Sequence, residues 1–125
     1  MTFNSWYQGV VLHGDKYGHT LGFPTANLDP AILSHLGQDG VYAAIVSLGD
    51  RTYGGAIYLG PRLTLRETRR VLEIHLIDFS GDIYGQTLRF RLGAFIRPPQ
   101  DFSSVKALKA QLAADITAAR RHTEA

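Results

Sequence analysis

Apolar and polar residues alternate most plainly in the last third of the chain. Leu88, Phe90, Leu92 and Ala94 are interleaved with Arg89, Arg91 and Gly93, the period of a strand with one buried and one wet face. Just upstream, Val71 to Phe79 is apolar except for Glu73, His75 and Asp78. Ser80-Gly81-Asp82 then leads into a last strand spanning Ile83 to Ile96, which predicts a hairpin. Gly40 to Leu48 and Thr52 to Leu59 flank the short link Gly49-Asp50-Arg51, predicting a second antiparallel pair. Trp6 to Leu12, rich in aromatic and β-branched residues, predicts a strand that ends in the turn His13-Gly14-Asp15. Gly14, Gly18 and Gly22 mark a loop able to aim backbone N–H groups at an anion. Asp29-Pro30-Ala31-Ile32-Leu33 reads as a short helix or turn stopped by Gly37. The one long helix follows Ser104, an N-cap ahead of Val105, Leu108, Leu112, Ile116 and Ala119 at helical spacing, with Arg120 and Arg121 in its last turn.

Five or six strands and one C-terminal helix point to a mainly β protein, in which a small closed or nearly closed barrel removes exposed edges. A chain of 125 residues fits a single domain, 1–125. The absence of cysteine excludes disulfides, cysteine zinc sites and thiol catalysis, and agrees with a cytoplasmic location. No apolar run approaches the roughly 20 residues that span a bilayer, and residues 1–5 lack the basic start and apolar centre of a signal peptide, so no membrane association is expected. Lys and Arg number 13 and Asp and Glu 11, a net charge of only +2, which gives nucleic-acid capture little support. Arginines gather at 62, 66, 69 and 70 and again at 89, 91 and 97. Cross-strand pairs on a solvated face account for most of them, with small-ligand phosphates the alternative.

Candidate chemistry centres on His19 to Leu28. Thr25 and Asn27 offer a hydroxyl and an amide oxygen at i and i+2, about 7 Å apart along an extended backbone, behind a proline that fixes their approach. Phosphoryl transfer needs a phosphate cradle, a hard cation and a base, and Gly14 to Gly22, the Thr25/Asn27 pair and Glu73 can supply them. An ordered turn explains the loop residues too, and on residue chemistry alone it takes precedence. A Walker A lysine and a GxGxxG fingerprint are both absent. Glu73 sits among apolar neighbours and shares a strand face with His75, so it reads equally as a tuned base or as a rim carboxylate paired with Arg69 or Arg91. His75 alone reads as structural. The five histidines lack metal-site spacing and Ser47 lacks a GxSxG elbow, which leaves zinc and serine hydrolases unsupported. Tyr84 and Phe102 are junction aromatics suited to core packing or to stacking on a heterocycle.

Gly9-Val10-Val11 with Gly14, the run Leu21 to Leu28 containing Pro24-Thr25-Ala26-Asn27, Gly40-Val41-Tyr42, Glu73 to Phe79, Asp82-Ile83-Tyr84-Gly85, and Arg97 with Phe102 together resemble the riboflavin kinase (flavokinase) family. The likeness spans about Tyr7 to Arg121. It implies a six-stranded antiparallel Greek-key β-barrel with a C-terminal helix, and transfer of the ATP γ-phosphate to the 5′-hydroxyl of riboflavin, giving FMN and ADP. It implies Glu73 as the catalytic base and Thr25 and Asn27 as ligands of Mg²⁺, with Zn²⁺ or Mn²⁺ as alternatives. Gly14, His19, Gly22, Thr25, Asn27, Leu76 and Tyr84 would bind the nucleotide, and Arg97, Gln100 and Phe102 the flavin. Small-molecule partners only, and a monomer, are expected. Tyr17, His19, Leu63 and Gln100 depart from the family's usual residues, which keeps open a flavin-binding or regulatory module with weak or no kinase activity. Nothing in these residues matches the adenylyltransferase fused to this domain in many bacteria.

Overall fold

The computed structural model describes residues 5–14 and 17–123. The reading of residues 1–4 and the Asp15 end of the first turn lie outside them. Six strands, β1 (Trp6–Val10), β2 (Ala26–Leu28), β3 (Gly40–Leu48), β4 (Arg51–Pro61), β5 (Arg70–Leu76) and β6 (Thr87–Arg97), pair antiparallel in the order β1-β6-β3-β4-β5-β2. The strands β3, β4 and β5 form a meander and β6 returns beside β3, a Greek key. The sheet curls until its two edges approach, where the Leu12 N–H donates to the Asn27 carbonyl at 2.7 Å. A 3₁₀ turn, Pro30–Leu33, is capped by the Asp29 side chain accepting from the Ala31 N–H at 2.9 Å, and it drops fully buried Leu33 into one end of the barrel.

Alternate residues of each strand fill the interior: Tyr42, Ala44 and Val46 from β3, Ile57 and Leu59 from β4, Leu72 and Ile74 from β5, and Leu88, Phe90 and Leu92 from β6. The opposite face of β3 is apolar too, because helix α2 (Val105–Thr123) packs there. Ala43, Ile77 and Ala119 form a second core with Ala56, Ile96 and Ile116 around it, and the small side chains let the helix lie close to the sheet. The Ala107 N–H donates to the Ser104 hydroxyl at 3.1 Å, the expected cap. At the far end of α2, Arg120 makes a two-pronged ion pair with Asp78, whose carboxyl it holds below the usual range.

Three expectations need correction. The segments β5 and β6 do not form a hairpin: both edges of β5 are taken, by β4 and β2, so the chain crosses the barrel end through residues 77–86 to reach β3. The last strand starts at Thr87 rather than Ile83, and its alternation fails after Leu92, where the β3–β6 register shifts through bulges. The loop after Gly14 contains one helical turn, α1 (Tyr17–Thr20).

Candidate active site

Register alone draws a line of side chains across the sheet. Asn27 of β2 pairs with Glu73 of β5, Glu73 with Tyr58 of β4, Tyr58 with Val41 of β3, and Val41 with Arg97 of β6. Directly opposed residues share a face, and this face is the outer one, since Leu72 and Ile74 point inward. Four strand spacings separate the ends of the row, roughly 19 Å.

Two clefts open along this row and share Thr25. The helix-side cleft, about 890 Å³ of empty space open to solvent, lies between the barrel and α2 and is lined by Glu73, Tyr58, Arg97, Phe102 and the Leu108/Leu112 face of the helix. The loop-side cleft, about 1150 Å³ on the same measure, is lined by His13, Gly14, His19, Asn27, Leu76 and Tyr84. At their junction the Thr25 hydroxyl donates to Glu73 Oε2 over a long 3.4 Å. The sequence-predicted residues thus sort into two groups. Glu73, Arg97, Gln100 and Phe102 lie in the first cleft, Gly14, His19, Asn27, Leu76 and Tyr84 in the second, and Thr25 in both. Of the residues that depart from the family's usual pattern, Tyr17, Leu63 and Gln100 fall in the helix-side cleft and only His19 in the other.

Gly22 lines neither cleft. It terminates α1: its N–H donates to the His19 carbonyl and the Phe23 N–H to the Gly18 carbonyl, the two bonds of a Schellman cap, and its φ of 88° is the left-handed conformation that cap requires. Its role is to turn the chain toward Pro24. Gly14 does line the loop-side cleft, and there is a steric reason for glycine there. A Cβ there would overlap the Asn27 side-chain amide, so the glycine leaves room for that amide in the loop-side cleft. Gly14→Ala is therefore expected to displace the Asn27 side-chain amide, with little change in thermal stability. The NMR signals of that amide, read alongside a melting curve, check both halves.

The helix-side cleft is braced by contacts that sequence reasoning missed. Arg97 forms a bidentate pair with Asp115 of α2, Nε to Oδ1 at 2.9 Å and a terminal nitrogen to Oδ2 at 2.8 Å, with the two side chains 14% and 4% exposed. Gln111 adds a third bond to Asp115 at 2.9 Å, and the Arg97 guanidinium lies 5.5 Å from the Phe102 ring centre. The Phe102 N–H donates to the Thr64 hydroxyl at 3.1 Å, tying the segment before α2 to the loop after β4. Asp115 left a signal, being a carboxylate inside the apolar stripe Leu112–Ile116–Ala119. In the other cleft His13 stacks on Tyr84 with ring centres 3.5 Å apart, a flat ledge between residues 71 positions apart that no local pattern announces.

Most of the clustered arginines have partners, but only Arg89 and Arg91 meet theirs across paired strands as the cross-strand reading expects. Arg62 pairs with Glu67 and Arg70 with Asp39, while Arg89 and Arg91 flank Trp6 at 5.0 and 5.3 Å. Tyr58 donates its hydroxyl to the Pro61 carbonyl. Burial, aided by Asp39 and Glu73 and opposed by Arg97, pushes its phenol up to about 12. The phenol is thus neutral beside Glu73 at any physiological pH. Because the unfolded chain ionises this group near 10 and the folded one does not, the stability it contributes is complete below pH 10 and lost as pH rises toward 12. Alkaline denaturation should therefore begin in that window, and Tyr58→Phe should flatten the decline in urea midpoints between pH 9.5 and about 11.5.

For a hard cation the site offers Thr25 and Asn27, neutral oxygen donors that both line the loop-side cleft. No group of three or more His, Cys, Asp or Glu gathers among the described residues. That donor set fits an ion such as Mg²⁺, which retains waters and takes its remaining ligands from phosphates, and it does not suit a closed structural metal site.

The fold and site together make a Greek-key barrel with two adjoining clefts, one walled by an apolar helix face and the other by small polar groups and an aromatic ledge. The chain belongs to the flavokinase (riboflavin kinase) family, whose model matches residues 1–123. It is 42% identical over 113 residues to the bifunctional riboflavin kinase/FMN adenylyltransferase of Escherichia coli K12, covering 90% of this chain and 36% of that protein. With the Mycoplasma pneumoniae protein of the same name it shares 36% identity over 114 residues, 91% of this chain and 41% of the relative. The chain thus spans little more than a third of the length of these relatives. Among solved structures, riboflavin kinase from Trypanosoma brucei superposes with a TM-score of 0.63 over 93% of this chain and 77% of its own, at 23% identity, a likeness of fold. A Streptococcus pneumoniae protein described as a macrolide-efflux protein superposes with a TM-score of 0.76 at 33% identity, over 92% of this chain and 38% of that one. No helix among the described residues here is long and apolar enough to cross a membrane.

Proposed function

We propose that this chain transfers the γ-phosphate of ATP to the 5′-hydroxyl of riboflavin, forming FMN and ADP. The observation that carries the reading is Thr25, which lines both clefts and bonds the one carboxylate of the cross-strand row. The isoalloxazine ring would lie in the helix-side cleft against Phe102 and the Leu108/Leu112 face, with Arg97 and Gln100 at its edge. The nucleotide would occupy the loop-side cleft, its base on the His13/Tyr84 ledge beside Leu76 and its phosphates over Gly14 and near His19, Thr25 and Asn27. Glu73 then stands where the ribityl chain meets the phosphates. It accepts the proton of the 5′-hydroxyl as that oxygen bonds to the γ-phosphorus and the bond to the β-bridging oxygen breaks, leaving ADP. Thr25 orients the Glu73 carboxylate through its hydroxyl. Thr25 and Asn27 would hold a divalent cation, Mg²⁺ in our reading, which supplies neutralisation of phosphate charge when bound.

We further propose a monomer in the cytoplasm, folded as one domain over residues 1–125, with riboflavin and ATP as its partners and neither nucleic acid nor membrane among them. A binding module without transfer is the reading that family membership does not favour. A fluorescence titration with riboflavin separates the two: Mg-ADP should tighten flavin binding if the clefts adjoin through Thr25, and flavin binding indifferent to nucleotide would support the binder.

A further inference from the structure

The ladder between β2 and β5 pairs Leu28 with Leu72, Asn27 with Glu73 and Ala26 with Ile74, and there it stops. The next step would set Thr25 opposite His75, and the chain enters it from Pro24, which has no N–H to give a ladder. In place of a backbone pair, the His75 Nδ1 lies 2.8 Å from the Pro24 carbonyl oxygen. A carbonyl only accepts, so Nδ1 carries the proton of this bond. The bond holds the end of β2 at the point where the two clefts meet: the residue after Pro24 is Thr25, which lines both clefts and reaches Glu73 at 3.4 Å. His75 itself sits two positions beyond Glu73 on the same strand face and lines the helix-side cleft. One strand therefore carries the candidate base and the side chain that fixes the base's hydroxyl partner.

We propose that His75 is a positioning residue for phosphoryl transfer, acting through the Pro24 carbonyl to hold Thr25 at the junction of the two clefts. The inference rests on the kinase reading given above. Without the bond, β2 keeps its ladder from Leu28 to Ala26, Asn27 opposite Glu73 included, but Thr25 beyond it is no longer held within reach of the Glu73 carboxylate. Displacements of about 1 Å at a transfer site cost up to roughly a hundredfold in rate. In the proposed pose riboflavin lies mainly against residues of β6, the segment before α2, and α2 itself, and His75 lines that cleft too, so turnover should suffer more than flavin affinity.

The test compares His75→Ala, which removes the donor, with His75→Asn, whose amide N–H falls near the Nδ1 position. Alanine should lower kcat for FMN formation about tenfold or more, a larger change than in the riboflavin dissociation constant, and asparagine should recover most of the loss. Amide hydrogen exchange over residues 23–28, read without substrates, should quicken in the alanine variant and return toward wild type in the asparagine one. Wild-type kcat in His75→Ala, an asparagine variant no better than alanine, or unchanged exchange over that segment would each overturn the proposal. If the wild-type protein makes no FMN, the kinase reading fails, and the exchange comparison still decides whether His75 holds the strand end.

Discussion

Glu73→Gln should lower FMN formation by about 10²- to 10⁴-fold, the usual contribution of a positioned base, while riboflavin binding is retained. Glutamine keeps the length and shape of the side chain and can still accept the Thr25 hydroxyl bond, so the cleft geometry survives. What is lost is the site that takes the proton from the attacking hydroxyl. Glu73 stands alone as a carboxylate in the row Asn27–Glu73–Tyr58–Val41–Arg97, and neutral Tyr58 beside it cannot substitute. Turnover in the glutamine variant within a few-fold of wild type would remove Glu73 from this role.

Asp115→Ala should destabilise the fold by about 3–5 kcal/mol, because it leaves the mostly buried Arg97 guanidinium without its counter-charge. The pair is 14% and 4% exposed, so solvent screening offers little relief, and the Gln111 bond to the same carboxylate is lost with it. Much of that cost is the penalty of the stranded charge. The double variant Arg97→Met/Asp115→Leu should therefore recover most of the stability that Asp115→Ala loses. Urea denaturation of the two proteins tests this, and a loss below about 1 kcal/mol in Asp115→Ala would mean that the pair behaves as an exposed one. The double variant should still bind riboflavin more weakly than wild type, since Arg97 also lies against Phe102 in the cleft wall.

The parts of the fold legible in the sequence are those fixed by neighbours along the chain. The β3–β4 hairpin follows from two apolar runs around Gly49-Asp50, the start of α2 from Ser104, and the 3₁₀ turn from Asp29-Pro30. The β5–β6 hairpin failed because local turn residues cannot report that both edges of β5 are occupied by distant strands. In the same way the alternation of β6 was readable up to Leu92, and its end was not, since the bulges there answer to the curvature of β3.

The candidate site divides along the same line. Glu73 and His75 at i and i+2, and Thr25 and Asn27 at i and i+2, could be seen to share faces. That the two pairs lie on adjacent strands in one register could not. Resemblance to the family supplied that connection. Gly22 has a local role that the motif did not announce. Its hydrogen bonds and left-handed φ end a helical turn and aim the chain at Pro24, beside the clefts rather than within their lining. Asp115 was visible as a charge interrupting an apolar stripe, but its partner Arg97 lies 18 residues away on a strand, and only the packed helix brings them together.

In the proposed reaction the two clefts hold riboflavin and ATP with the 5′-hydroxyl, the γ-phosphate and Glu73 in contact. The most direct test is incubation of the purified chain with riboflavin, ATP and Mg²⁺, followed by chromatographic separation of the flavins and nucleotides. FMN and ADP should appear in equal amounts, at a rate that collapses in Glu73→Gln. Riboflavin recovered unchanged from a folded, flavin-binding protein would contradict it.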